Sequence, residues 1–191
     1  LGEWKFGAAK GSRSCVMLTL GTGIGGGIVI DGKPFTGGWG LGTELGHTSI
    51  NHNGPPCGCG GRGCIERYSS ATAIIDKYNS MKMKNEEFKI KNVREAFQRA
   101  RKGDKRAKQV IGEAMETLGL SVAGFINVFN PEVFILGGGM SLLPGVIPAV
   151  ARAARRHAID ICQCNVRILP AKLGNDAGLA GAGASTLRGS Q

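Results

Sequence analysis

Glu44-Leu-Gly-His47-Thr-Ser-Ile-Asn-His-Asn-Gly54-Pro-Pro-Cys57-Gly-Cys59-Gly-Gly-Arg-Gly-Cys64-Ile-Glu66 is the stretch on which the reading of this chain turns. His47, Cys57, Cys59 and Cys64 stand at spacings that let one imidazole nitrogen and three thiolates close a tetrahedral shell around zinc, with no position left for water. A closed shell holds structure and performs no chemistry. Gly54, Gly58, Gly60, Gly61 and Gly63, with Pro55 and Pro56, let the loop turn tightly enough to bring the sulfurs together. The competing reading makes these cysteines free thiols or disulfides. Cys57 and Cys59 are poorly placed to bridge each other, because a disulfide needs a narrow range of Cα separation and converging Cβ vectors. Zinc is the favoured reading.

Two carboxylates flank the ligands. Glu44 lies three residues before His47 and Glu66 two after Cys64, so a metal that pins the loop also fixes where both acids point. Charged acceptors held in place suit a polyhydroxylated ligand, since each sugar hydroxyl can donate a short, charge-assisted hydrogen bond. A zinc module with no ligand is the blander alternative.

At these positions the sequence resembles the ROK family of bacterial sugar kinases and sugar-responsive repressors. Gly46, His47, Gly54, Cys57, Cys59, Gly60, Gly63, Cys64, Glu66, Ser70 and Ala73 stand where that family's signature places them. The resemblance implies zinc on His47, Cys57, Cys59 and Cys64, and sugar contacts from Glu44, from His47 through its other ring edge, and from Glu66.

Composition narrows the classes. With 191 residues and 42% hydrophobic content the chain is long enough for one well-buried domain. No apolar run approaches a membrane span and no signal-peptide core is evident, so a soluble, cytoplasmic protein is expected. Clustered metal-type cysteines fit a reducing compartment better than a disulfide framework. Cys15 reads as a small buried hydrophobe, and Cys162 and Cys164 have no partner in the sequence. The formal charge is +10, with much of the surplus between Lys77 and Lys108. Acids are mixed into that stretch without an aromatic ladder, so a solvated helix face is preferred to a nucleic-acid surface. Excess positive charge still attracts an anionic nucleotide.

In chain order, residues 1–11 read as a helix entered midway. Cys15 to Ile30 is two apolar runs around a turn rich in glycine, closed by the hairpin signal Asp31-Gly32. Bare backbone at Gly21, Gly23, Gly25, Gly26 and Gly27 lets N–H groups approach phosphate oxygens. A second strand, rather than a helix, follows this turn, which argues against a dinucleotide site. One helix is expected from Ile65 to about Met81, a second capped by Asn92, and a third capped by Asp104 and running to about Phe129. Val133–Leu136 reads as a buried parallel strand ending in Gly137-Gly-Gly139, followed by a helix at about 144–158, a strand at 166–169 and a helix opened by Asn175-Asp176.

The resemblance extends over essentially the whole chain. It implies an α/β fold, the C-terminal domain of an actin-like (ribonuclease-H-like) sugar kinase with the zinc loop 44–66 inserted. Residues 1–14 would be a helix from the inter-domain region and 15–191 the domain, with the N-terminal domain absent. Leu-Gly-Thr-Gly-Ile-Gly-Gly-Gly (20–27) looks like the family's second phosphate clamp, implying nucleotide contacts from Gly21, Thr22, Gly23 and Gly25; the motif ending in Gly138 and Gly139 looks like its adenosine side. Implied partners are a hexose, glucose first, with ATP, Mg²⁺ and structural Zn²⁺, in a homo-oligomer. N-acetylmannosamine or another hexose, or a repressor role with DNA, are the alternatives. Asp31, Asp76, Asp104, Asp160 and Asp176 all read as turn, cap, helix-surface or isolated positions, so the catalytic base is expected upstream of Leu1 and the chain alone is expected to be inactive.

Overall fold

The two apolar runs around Gly21-Thr22-Gly23 form an antiparallel hairpin, β1 (Cys15–Leu20) and β2 (Ile24–Ile30), in register from Leu20 opposite Ile24 to Cys15 opposite Val29. Asp31 and Gly32 have φ of 47° and 73°, the two positive values of a tight hairpin turn, and return the chain into β3 (Lys33–Pro34). The structure, a computed structural model, describes residues 1–81 and 89–186. The lysine-rich run around 82–88 therefore lies outside the described residues.

The sheet has the order β3-β2-β1-β4-β5, with β4 (Val133–Gly137) and β5 (Arg167–Pro170) parallel to β1. All five residues of β4 are buried, which is why its sequence is an unbroken apolar run and not an alternation. Val16, Leu18 and Leu20, with Phe134 and Leu136, face one helical layer, while Cys15, Val133 and Ile135 face the segment holding Ala9 and Trp4. Helices thus cover both faces of a mixed sheet, an α/β arrangement.

The large layer is built on α5 (Lys105–Phe129), whose Val110, Ala114, Leu118 and Val122 recur at helical spacing and are buried. Asp104 caps it as its sequence predicts, its Oδ1 accepting from the amides of Arg106 (2.9 Å) and Ala107 (3.2 Å). Asn92 caps α4 (Val93–Arg101) through the Glu95 amide at 3.0 Å. Gly119 lets α6 (Val146–His157) approach closely: a methyl there would lie 2.2 Å from Cβ of Ala153.

Three expectations need correction. The helix expected over 65–81 is two, α2 (Glu66–Ser69) and α3 (Ala71–Ser80), because Ser70 is extended (φ −75°, ψ 164°) and its Oγ accepts from the Ala73 amide. The opening helix α1 stops at Phe6, where Gly7 leaves helical geometry. The last helix does not begin directly at Asn175-Asp176; these residues lie in a 3-10 turn, Gly174–Asp176, that runs straight into α8 (Ala177–Thr186). A single turn, α7 (Asp160–Gln163), precedes β5. Phe6 and Leu179 on the first and last helices are exposed, yet Trp39 in the loop before Glu44 is more so, at 93%. Among the described residues, no helix is long and apolar enough to cross a membrane.

Candidate functional site

The cysteine loop leaves β3 and returns to the sheet through a 3-10 turn, Leu45–His47, whose Leu45 and Gly46 are buried. Gly46 sits on β2 so tightly that a Cβ would be 1.9 Å from the Ile24 carbonyl oxygen. From there the loop doubles back on itself. The Ile50 amide donates to the Gly63 carbonyl, Cys57 to Gly61 and Ile65 to Thr48, at 2.9–3.0 Å. Gly63, at φ +68°, lies against the Asn51 carbonyl where any side chain would collide.

This doubling brings His47, Cys57, Cys59 and Cys64 together, with their ligand atoms all within 4.8 Å of one another. Cys57 Sγ lies 3.5 Å from His47 Nδ1, and Cys59 Sγ lies 3.6 Å from Cys64 Sγ. Zinc–sulfur bonds of about 2.3 Å and zinc–nitrogen bonds of about 2.0 Å give a tetrahedron with S–S edges of roughly 3.8 Å and S–N edges of roughly 3.6 Å. The donor set fits zinc in both type and spacing. Burial, followed by the neighbouring thiols, pushes the Cys64 thiol up to about 12, while the Gly61 backbone N–H first, then the Cys64 and Cys57 thiols, hold Cys59 below the usual thiol range. Packed alone, the cluster resists full ionisation; a divalent cation reverses that balance by attracting every sulfur at once.

Directly after Cys64 the chain enters α2, and its first residue, Glu66, leans back over the β1–β2 turn. Its Oε2 accepts from the Ile24 amide at 2.9 Å and occupies the space above Gly23, where a Cβ would be 2.3 Å away. Glu44 is exposed at the entry to the turn packed on Ile24, and its side chain makes no hydrogen bond or ion pair among the described residues. Both acid-bearing segments therefore rest on the same end of β2.

The β1–β2 turn is itself held from outside. The Ala71 amide donates to the Gly21 carbonyl (2.9 Å) and Thr72 Oγ1 to the Thr22 carbonyl (2.8 Å), so the first turn of α3 fixes it. Beside it, Gly138 adopts φ +80° with its Cβ position 2.4 Å from the Leu20 carbonyl, to which Met140 donates at 3.0 Å. Two glycine turns thus stand together at the carboxyl ends of the adjacent parallel strands β1 and β4, where open α/β sheets place ligands. They border an open cleft of about 370 Å³ lined by Thr19, Gly21, Gly23, Gly25, Glu66 and Gly138. Gly139 has open space beside it. Glu66 is the only carboxylate on this lining among the described residues.

Sequence reasoning missed Glu3. It is 2% exposed, and its oxygens accept from the amides of Ala8 (2.7 Å) and Leu173 (2.6 Å), tying α1 to the turn before α8. That turn reaches Gly174, which with Gly138, Ser141, Leu142 and Ala171 lines a second, smaller cavity of about 110 Å³. The available signal was an acid within an opening segment of glycines and apolar residues.

The ROK family profile matches residues 1–188. The chain is 45% identical over 151 residues to a glucokinase of Thermotoga maritima, covering 74% of this chain and 47% of that protein. A xylose repressor of Caldicellulosiruptor bescii is 36% identical over 149 residues, covering 74% of this chain and 37% of the repressor. The crystal structure of a ROK family glucokinase from Streptomyces griseus, in complex with glucose and AMPPNP, superposes with a TM-score of 0.83 at 32% identity, covering 95% of this chain and 62% of that one. The chain spans between about a third and two thirds of the length of these relatives. With a family profile matched over residues 1–188 and a ROK sugar kinase fold beneath it, the chain belongs to the ROK family.

Proposed function

We propose that the protein to which this chain belongs transfers a phosphoryl group from ATP to a hexose, glucose first among candidates. Glu44, His47 and Glu66 hold the sugar; Gly21, Thr22, Gly23 and Gly25 cradle the phosphates; Gly138 and Gly139 pass along the adenosine. Zn²⁺ on His47, Cys57, Cys59 and Cys64 is structural, and Mg²⁺ arrives with the nucleotide. The supporting observation is the bond from the Ile24 amide to Glu66 Oε2, which puts a carboxylate fixed by the cysteine loop directly above a phosphate-sized glycine turn. Acceptor and donor then meet at one place, and positioning is most of what phosphoryl transfer asks of a protein.

Transfer also requires a base for the sugar hydroxyl. Glu66 is committed to the Ile24 amide, and no second carboxylate lines the cleft among the described residues. A carboxylate from outside the chain supplies that role, and the 191-residue chain by itself does not turn over. Glucokinases are among the relatives, and one is solved with glucose and AMPPNP, which supports glucose and ATP as the pair. Similarity to a xylose repressor supports a second reading, sugar sensing without transfer.

A coupled assay with ATP, Mg²⁺ and a panel of hexoses on the longer protein tests the proposal. Turnover with glucose that is lost in Glu66→Ala is expected. Hexose binding without any turnover in the longer protein favours the sensor instead, and robust turnover by this chain alone refutes the missing base.

A further inference from the structure

A cavity larger than the cleft described above lies elsewhere among the described residues. It measures about 500 Å³, lies where α4, α5 and α6 meet, and is within the size range of small-molecule sites. Its floor is apolar: Phe97 and Met115 are buried there, with Ile111 and Ala149 half-buried beside them. Its rim is cationic, and each helix contributes: Arg101 ends α4, Lys108 lies in the first turn of α5, and Arg152 stands on α6.

Among the described residues none of these three side chains makes a hydrogen bond or ion pair. Among the described residues Glu116 is the one carboxylate on the lining, and its oxygens are taken by Arg156 and by His157 Nε2, the latter at 2.8 Å. Those contacts also keep its carboxyl below the usual range, the His157 bond foremost. A low-dielectric floor beneath unpaired cations concentrates positive potential at its mouth.

From this arrangement we infer that the cavity is a binding site for a small amphipathic anion, an aryl or short acyl group bearing a phosphate or carboxylate. The apolar body fills the floor between Phe97 and Ala149, and the anionic end meets Arg101, Lys108 and Arg152. A guanidinium recognises either oxyanion through paired N–H donors. The site is separate from the sugar and nucleotide cleft, yet Pro144 and Gly145 on its wall belong to the link between the Gly138–Gly139 turn and α6. That position suits an effector more than a substrate.

Calorimetric titration of the 191-residue chain with phenyl phosphate, and with benzyl alcohol as a neutral match of similar shape, tests the assignment. Phenyl phosphate is expected to bind saturably and to weaken as salt rises, while benzyl alcohol does not bind measurably. Arg101→Glu combined with Arg152→Glu should weaken phenyl phosphate by about tenfold or more, since it removes two charge-assisted contacts and reverses their sign. Ala149→Trp, which fills the cavity from α6, should abolish binding. Both variants alter partly or fully exposed positions and should melt close to the parent, which separates loss of the site from loss of the fold. Equal binding of benzyl alcohol, or an unchanged affinity in the charge-reversed variant, overturns the proposal. So does displacement of phenyl phosphate by ATP with loss of binding in Gly138→Ala, which would place it in the nucleotide cleft. If sedimentation shows a dimer that the charge reversal dissociates, this face is a subunit contact and the assignment is wrong.

Discussion

If His47, Cys57, Cys59 and Cys64 hold zinc as proposed, removing it should open one loop and leave the domain standing. Cys57 and Cys64 are buried but belong to neither hydrophobic cluster, whereas Leu45 and Ile65, at the two ends of the loop, pack into the main core. Between those anchors the loop is held by backbone bonds at Ile50, Cys57, Gly63 and Ile65 and by the donor cluster. Without the cation, three thiols and an imidazole remain in contact, held only by weak sulfur hydrogen bonds of 3.5–3.6 Å. If both anchoring side chains stay buried, each retains about 1.5–3 kcal/mol of transfer energy, and the fold loses only the loop. Chelation should therefore cost roughly 1–3 kcal/mol of global stability, a fall in melting temperature of about 2–12 °C for a chain of this size. Hydrogen exchange is the deciding assay. Amide protection at Ile50, Cys57 and Gly63 should collapse on chelation and return with Zn²⁺, while the amides of β1 and β4 keep theirs. Cooperative loss of protection in the strands would show that the metal holds the domain and not the loop. Unchanged protection at Cys57 would show that the donors close no metal shell.

Gly138→Ala should disturb the turn proposed to hold nucleotide, because φ +80° costs an L-residue about 1–2 kcal/mol and its methyl would lie 2.4 Å from the Leu20 carbonyl oxygen; loss of AMPPNP affinity by calorimetry, with β1 amide protection retained in hydrogen exchange, is the expected result. Glu3→Gln replaces one buried acceptor by a donor facing an amide N–H, so urea denaturation should show a loss of about 1–3 kcal/mol. Asp104 carries a pH signature. Burial opposes its charge, but the Tyr78 hydroxyl, the Ala107 and Arg106 amides and the Arg106 guanidinium outweigh that and hold the carboxyl below its ordinary value. A depressed folded-state pKa contributes stability above the unfolded value near 4 that is lost as pH falls through the folded value. The parent should therefore lose stability below about pH 4 more steeply than Asp104→Ala, whose own loss of about 1–2 kcal/mol at neutral pH reports the missing cap. Parallel acid limbs for the two proteins would exclude the contribution.

How much the sequence disclosed follows from the range of the forces involved. Caps at Asn92 and Asp104, the Asp31-Gly32 turn and the buried β4 run are fixed by residues within a few positions of each other, and each was legible. The donor cluster was legible for the same reason, since its members lie within eighteen residues and their chemistry admits few alternatives. The division at Ser70 was not. Ser69 and Ser70 sit in a pattern that suits one continuous helix, and the break serves a distant partner: α3 begins where its first amide can reach the Gly21 carbonyl. Glu3 was hidden likewise, because its second acceptor bond goes to Leu173, 170 residues along the chain.

Those long-range bonds share a destination. Glu66 reaches the Ile24 amide, Ala71 and Thr72 reach Gly21 and Thr22, Met140 reaches Leu20, and Glu3 reaches the turn that lines the second cavity. Glycine turns have no side chains with which to stabilise themselves, and unpinned they would sample many conformations at an entropic cost to any ligand. The fold meets this by spending polar groups from remote segments on the turns themselves. The cysteine loop fits the same scheme: a metal held there as proposed would order Cys64 and, two residues later, Glu66, whose bond from the Ile24 amide reaches the β1–β2 turn. On that proposal the donor cluster, Glu66 and the glycine turn form one mechanical unit, and a substitution in any of them should be felt in the other two.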